Sequence, residues 1–125
     1  MANELTLNFS LGYLKNNVTV QDAIANFQAN VAGNGLNSLT AYSAPTAETA
    51  IPLGSVTGPG GWLFLLNTDL TNFVTVRTSV GGTFMAKLWP GYFMVIPMPD
   101  TSPIVVPSTQ SDTAPCIMKL AVFDK

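Results

Sequence analysis

This chain of 125 residues has only 10% charged residues, a net charge of −2 and no histidine. About a quarter of the residues are charged in ordinary soluble domains, so this composition favours partner subunits over a free surface. The five basic residues are scattered singly, which excludes a basic stripe and predicts no nucleic acid partner. With no histidine and one cysteine, we expect neither an enzyme nor a cofactor or metal.

The same sequence predicts one domain with a single core, because its length lies in the usual range for one. No stretch approaches the roughly 18 apolar residues of a membrane span, and the first residues lack the pattern of a secretory signal. We therefore expect a soluble protein made in the cytoplasm, with no membrane partner. Cys116 begins an apolar run, where a small buried side chain is the usual explanation.

The first part of the chain predicts strands. Apolar and polar residues alternate from Leu5 to Tyr13, the pattern of a strand with one buried face, and the sequence Lys15-Asn16-Asn17 predicts a reversal. From Val20 to Val31 the apolar residues fit both helical and strand spacing. Because the neighbouring segments are all β, we favour a strand from about Phe27 to Val31.

The middle of the chain predicts weaker strands and then stronger ones. The segment from Leu36 to Leu53 predicts one or two edge strands. The continuous apolar run from Trp62 to Leu66 predicts a central strand buried on both faces, with Trp62 in the core. Segments 73–80 and 83–88 predict a hairpin around two glycines.

The rest of the chain completes an all-β pattern. Trp89-Pro90-Gly91-Tyr92 predicts a type II turn that leads into a strand ending at Pro97. A short strand is expected at Ile104-Val105-Val106 and a final one from Cys116 to Phe123. About eight short strands predict an antiparallel two-sheet sandwich of the jelly-roll type, spanning residues 1–125 as a single domain with an N-terminal strand or arm.

Several segments resemble small structural proteins encoded by tailed bacteriophages. They are Ile51-Pro52-Leu53-Gly54, Gly61-Trp62-Leu63-Phe64, Asn67-Thr68-Asp69-Leu70-Thr71-Asn72-Phe73-Val74, Leu88-Trp89-Pro90-Gly91-Tyr92, Ala114 to Asp124 and the opening Ala2-Asn3-Glu4-Leu5-Thr6. The resemblance implies a virion protein on the outer surface of the capsid, which acts as a cement or decoration protein. It implies binding to the major capsid protein and to itself as a homo-oligomer, such as a trimer, and no chemistry. Tyr92 departs from the family pattern, in which an acidic residue usually follows the Pro-Gly turn.

Under this interpretation, binding comes from apolar and aromatic contacts repeated at symmetry-related positions. The candidate contact residues are Glu4 in the N-terminal arm, Trp89 and Tyr92 at the turn, and Met98 and Ile104 in the loop from Pro97 to Pro107. Trp89 and Tyr92 also fit a purely structural role as a partly buried platform for the turn.

The alternative function is a carbohydrate-binding or receptor-binding module of a phage tail or fibre. Sandwiches of this type bind sugars with exposed aromatic rings and nearby Asp or Asn, and Trp89, Tyr92 and Asp100 could serve. Asp100, Asp69 and Asp112 all lie in predicted loops beside Thr, Ser or Asn. Closing turns is therefore the favoured role of these three carboxylates.

Overall fold

The computed structural model describes residues 5–29, 36–56, 61–99 and 105–123, and they form ten β-strands and no helix. None of these residues therefore belongs to a helix that is long and apolar enough to cross a membrane. The contacts divide the chain into two compact units, Met1–Ala32 and Gly33–Lys125. The prediction of one domain stays a prediction, and each unit is described by itself.

The first unit is an antiparallel hairpin of β1 (Leu5–Lys15) and β2 (Val18–Ala29). Asn16 and Asn17 connect the strands with φ angles of 51° and 62°. A two-residue loop with positive φ at both positions matches the twist of the flanking strands, and Asn tolerates that conformation. The predicted strand and reversal are confirmed. Strand spacing also prevails over helical spacing in β2, which begins earlier than the predicted Phe27; Val31 lies outside the described residues.

An extra residue in β2 changes the register of this hairpin. Leu7 lies opposite Phe27, but Phe9 lies opposite Ile24, so the shift falls around Asn26. Asn26 has a φ of 56°, and its backbone N–H donates a 2.8 Å hydrogen bond to the side-chain oxygen of Asn8. This is a β-bulge, in which two residues of one strand face one residue of the other.

The second unit is a sandwich of two four-stranded antiparallel sheets, which confirms the predicted fold class. Sheet I has the order β3 (Leu36–Ala44), β10 (Cys116–Phe123), β5 (Trp62–Asn67), β8 (Phe93–Pro97). Sheet II has the order β4 (Thr49–Ala50), β9 (Ser108–Ser111), β6 (Val74–Arg77), β7 (Phe84–Leu88). The jelly-roll topology itself stays a prediction.

The chain passes repeatedly from one sheet to the other. Among the described strands of this unit, only β6 and β7 are consecutive in one sheet, and they form the predicted hairpin. The Trp89–Tyr92 turn is also confirmed, with Gly91 at φ 83° and a 2.8 Å hydrogen bond from the Tyr92 N–H to the Trp89 carbonyl. This turn joins β7 to β8, which pairs with β5 and not with β7. It is therefore a corner between the sheets.

The core of the sandwich comes from one face of each sheet and from nearby loops. Alternate residues of β5 and β10 point into it, including the fully buried Leu63, Leu65 and Val122. Val74 and Val76 of β6 meet them from sheet II. Burying a side chain of this size stabilises the fold by about 1.5–3 kcal/mol relative to exposure.

Two predictions about individual strands are wrong in part. β5 is an inner strand as predicted, but its burial alternates, and Trp62 is half-buried on the face opposite to Leu63. The run from Trp62 to Leu66 is continuously apolar because the face of β5 away from the core is apolar as well. Val105 and Val106 form no strand, and Ile104 lies outside the described residues.

The strand expected at residues 104–106 is found instead in the polar segment Ser108–Ser111. Burial of these residues is possible because their hydroxyl groups have partners. The Ser108 hydroxyl donates to the Glu48 carboxylate at 2.8 Å and has the Ser79 carbonyl as a second acceptor at 3.1 Å. Thr109 shares a 2.8 Å hydrogen bond with the Tyr42 hydroxyl. Hydrogen bonding offsets the cost of burying polar groups, so a polar strand can lie between two others.

Candidate interaction surfaces

The corner made by Trp89 and Tyr92 is exposed, as expected for a contact site. The two side chains are 44% and 58% exposed. The backbone N–H of Asn67 donates to the Tyr92 carbonyl and that of Gly91 to the Asn67 carbonyl, both at 2.9 Å. The corner is therefore fixed to the end of β5, and the Tyr92 side chain is presented on a well-supported backbone.

Trp89 also has neighbours within the chain. Its ring centroid lies 5.0 Å from that of Phe73, with the planes tilted by 57°. The Lys87 ammonium lies 4.3 Å from the Trp89 centroid and 3.7 Å from the Phe73 centroid. Such contacts between a cation and aromatic rings hold the side chains in place. They support the structural role of Trp89, and a sugar ring would have to displace the Lys87 ammonium from the face it covers.

The other predicted contact residues do not join this corner. Met98 is 3% exposed and belongs to the hydrophobic core, so it does not lie on the surface of this unit. Its backbone N–H donates to the Gly61 carbonyl at the end of β8. Glu4, Ile104 and Asp100 lie outside the described residues.

The hairpin carries a larger apolar surface that the sequence prediction did not include among the contact residues. Because the bulge at Asn26 adds one residue to β2, the apolar residues of both strands fall on the same face. We call this the hairpin face. Its apolar members are Leu7, Phe9, Leu11, Tyr13, Val18, Val20, Ile24 and Phe27. The opposite face carries mainly Thr, Ser, Asn and Gln.

The hairpin face is well exposed. Leu11 and Tyr13 are each 50% exposed, Val18 is 54% and Ile24 is 57% exposed. The alternation in β1 predicted a buried face, and this prediction is wrong within the single chain beyond Leu5, which is buried. Alternation indicates that one face of the strand is apolar, and it holds equally whether that face is covered by the same chain or by another molecule.

Sheet I presents a second apolar surface on the side away from the core. The register places half-buried or exposed residues of three strands side by side there. We call this the outer face of sheet I. Its apolar members are Trp62, Phe64, Leu66, Phe93, Val95, Ile117, Ala121 and Phe123. Lys119 is the charged residue among them.

Two acidic side chains of the sandwich, Glu48 and Asp69, are held by hydrogen bonds. The pKa of Glu48 is lowered, first by the hydroxyl of Ser108 at 2.8 Å, then by the N–H of Gly81 at 3.0 Å and the charge of Arg77. The pKa of Asp69 is lowered by the N–H groups of Asn72 and Thr71, both at 2.8 Å. Asp69 therefore closes a turn, which is the role that the sequence favoured for it.

Cys116 is fully buried, as the sequence predicted. Burial raises the pKa of its thiol to about 11, and the negative charge of Asp69 adds to that effect. The thiol lies 3.1 Å from the side-chain oxygen of Asn67 and donates to it. A thiolate is the reactive form of cysteine, so this group is unreactive at neutral pH.

No three His, Cys, Asp or Glu side chains within residues 5–29, 36–56, 61–99 and 105–123 lie close enough together to hold a metal ion. No family model matches the chain, and neither a curated protein nor a solved structure shows significant similarity to it. The two apolar faces and the Trp89–Tyr92 corner are thus the features on which a function can be argued.

Proposed function

We propose that this protein is a noncatalytic virion structural protein that binds the outer surface of a capsid shell as a cement or decoration protein. The motif resemblance supplies the virion setting, and the exposed apolar faces support the mode of action. The sandwich is proposed to be a jelly roll, because its eight strands alternate between sheets at every step except from β6 to β7.

The observation that carries the proposal is the amount of apolar surface. Soluble monomers rarely expose a continuous apolar patch larger than a few hundred Å². Here Leu11, Tyr13 and Ile24 of the hairpin are each at least half exposed, as are Phe93 and Ile117 of sheet I. Surfaces of this kind are typical of proteins that work in an assembly.

The Trp89–Tyr92 corner is the proposed contact with the shell. Exposed Tyr and Trp are common anchors of interfaces, since they bury much area and lose few rotatable bonds. A capsid repeats the same site at every symmetry-related position. Several copies held together then bind far more tightly than one, so a small contact per copy is sufficient.

The test is binding of the purified protein to purified capsid shells of the virus that encodes it, followed by a cryo-electron map of the complex. We expect regular density that bridges neighbouring capsomers. Tyr92→Ser is expected to weaken binding by about tenfold or more, because it removes an anchor and leaves the backbone of the turn intact.

Leu70→Ser is the matched control, because Leu70 is 91% exposed and lies on a different loop. Its binding should equal that of the unmodified protein. Density at the tail, no density on the particle, or equal binding of the two variants would overturn the proposed shell contact.

A further inference from the structure

The hairpin face must be covered by something, because a lone two-stranded hairpin is marginally stable in water. β1 is 11 residues long, so the face is about 36 Å long, and two strands give it a projected area of roughly 350 Å². Its surface is apolar along this length except for Asp22, which lies opposite Leu11, and Lys15 at the turn end.

The outer face of sheet I has the complementary character. Lys119 lies opposite Leu66, between Ile117 and Ala121 along β10. An unpaired charge buried in an apolar contact is costly, but an acid and a base that meet there offset much of that cost. The hairpin face thus carries the Asp22 carboxylate within an apolar surface, and the outer face of sheet I carries the Lys119 ammonium within another.

We propose that the hairpin face of one copy packs on the outer face of sheet I of a second copy, in a reciprocal dimer in which Asp22 of each copy meets Lys119 of the other. Each copy then contributes its hairpin to its partner and receives the partner's hairpin. The inference goes beyond capsid binding and does not depend on it, because the oligomer forms from this chain alone.

The area favours this exchange over a contact between two hairpins. Two hairpin faces packed together bury roughly 700 Å² in total, well below the about 1,200 Å² of a stable interface. In a reciprocal dimer both contacts join the same two copies, so this single interface buries roughly 1,400 Å² in total. Lys15 does not hinder either contact, since its long side chain at the turn end can reach water.

The experiment measures molar mass by light scattering and dissociation by sedimentation for the purified full chain and for Asp22→Lys and Lys119→Glu. The unmodified protein should have a mass of two times 13.2 kDa. Each variant places like charges in every contact, so its dissociation constant should rise about tenfold or more.

The decisive sample is the mixture of the two variants. In a mixed oligomer the new lysine of one chain meets the new glutamate of the other, and the remaining contact joins the original Asp22 and Lys119. We expect the mixture to assemble nearly as well as the unmodified protein. Packing of a hairpin on its own sheet would give no such restoration.

Gln21→Lys is the control, because residue 21 adjoins Asp22 and lies on the opposite face of the hairpin. It adds positive charge there and should leave the oligomer intact. Ile24→Ser is a second disruptive variant, which changes no charge. Ile24 is 57% exposed in the single chain, so this substitution should weaken assembly without unfolding the protein. A monomer at all concentrations, intact oligomers of both charge variants, or a mixture of folded variants that stays monomeric would each overturn the proposal.

Discussion

The side chain of Asn67 joins several segments of the sandwich, and Asn67→Ala removes all of these links together. Its amide nitrogen donates to the carbonyls of Asn72 and Leu88, each at 2.9 Å. Its oxygen accepts from the Asp69 N–H at 2.9 Å and from the Cys116 thiol at 3.1 Å. Asn67 is fully buried, so water cannot easily replace it at the two contacts that are themselves buried, those with the Leu88 carbonyl and the Cys116 thiol.

The size of the expected loss in unfolding free energy follows from the groups that lose a hydrogen-bond partner. A buried polar group without a hydrogen bond costs about 1–3 kcal/mol, and the Leu88 carbonyl lies in the buried part of this site. The Asn72 carbonyl and the Asp69 N–H are only partly buried and can recover part of the loss through water. We expect Asn67→Ala to lower the free energy of unfolding by about 3–5 kcal/mol in total, a large share of the 5–15 kcal/mol of a typical domain.

The assay is urea unfolding followed by tryptophan fluorescence. Trp62 and Trp89 both lie in the unit Gly33–Lys125, so the signal reports on the sandwich. Cys116→Ser is the matched control, because it keeps a donor for the Asn67 oxygen. A loss under about 1 kcal/mol for Asn67→Ala, at an unchanged dependence on urea, would refute the argument that these hydrogen bonds hold the loops to β5.

Three further outcomes are expected from the sandwich. Leu65→Ala should lower the free energy of unfolding by about 2–5 kcal/mol in the same urea assay, because Leu65 is fully buried and a cavity remains; a change below 1 kcal/mol would contradict its place in the core. The Cys116 thiol should resist alkylation at pH 8 until the protein unfolds, and stability should fall between about pH 9 and 11, since the raised pKa keeps the proton on the folded form; rapid labelling of folded protein would argue against its burial. The lowered pKa of Glu48 stabilises the folded form above the unfolded pKa, and this contribution is lost as the pH falls through the folded value. Glu48→Gln should therefore reduce the loss of stability in acid measured by thermal unfolding, and an identical pH profile would exclude the effect.

Local patterns predicted most of the strands, because turn chemistry and period-two alternation are properties of neighbouring residues. Asn16 and Asn17 predicted the hairpin turn, and Pro90 with Gly91 predicted the corner at the end of β7. β9 was missed because its residues Ser108–Ser111 are polar, and only the finished fold supplies the partners that allow them to be buried. A pattern of residue types carries no information on such distant partners.

The candidate surfaces were predictable to a smaller extent. The exposed aromatic residues Trp89 and Tyr92 could be selected from the turn sequence, whereas the core position of Met98 depends on how the end of β8 meets Gly61. The hairpin face was hidden because Val20 and Ile24 lie at even positions and Phe27 at an odd one. Only the bulge at Asn26 brings them to one side.

The position of β10 between β3 and β5 has a consequence for how the chain reaches its fold. β10 follows every other described strand in sequence, yet it is the strand that connects β3 to β5 and β8 in sheet I. During synthesis, β3 and β5 therefore leave the ribosome well before the strand that links them. Pairings between such distant segments form slowly, and unpaired edges expose a growing chain to aggregation. Sheet I is therefore completed late, only after β10 has left the ribosome.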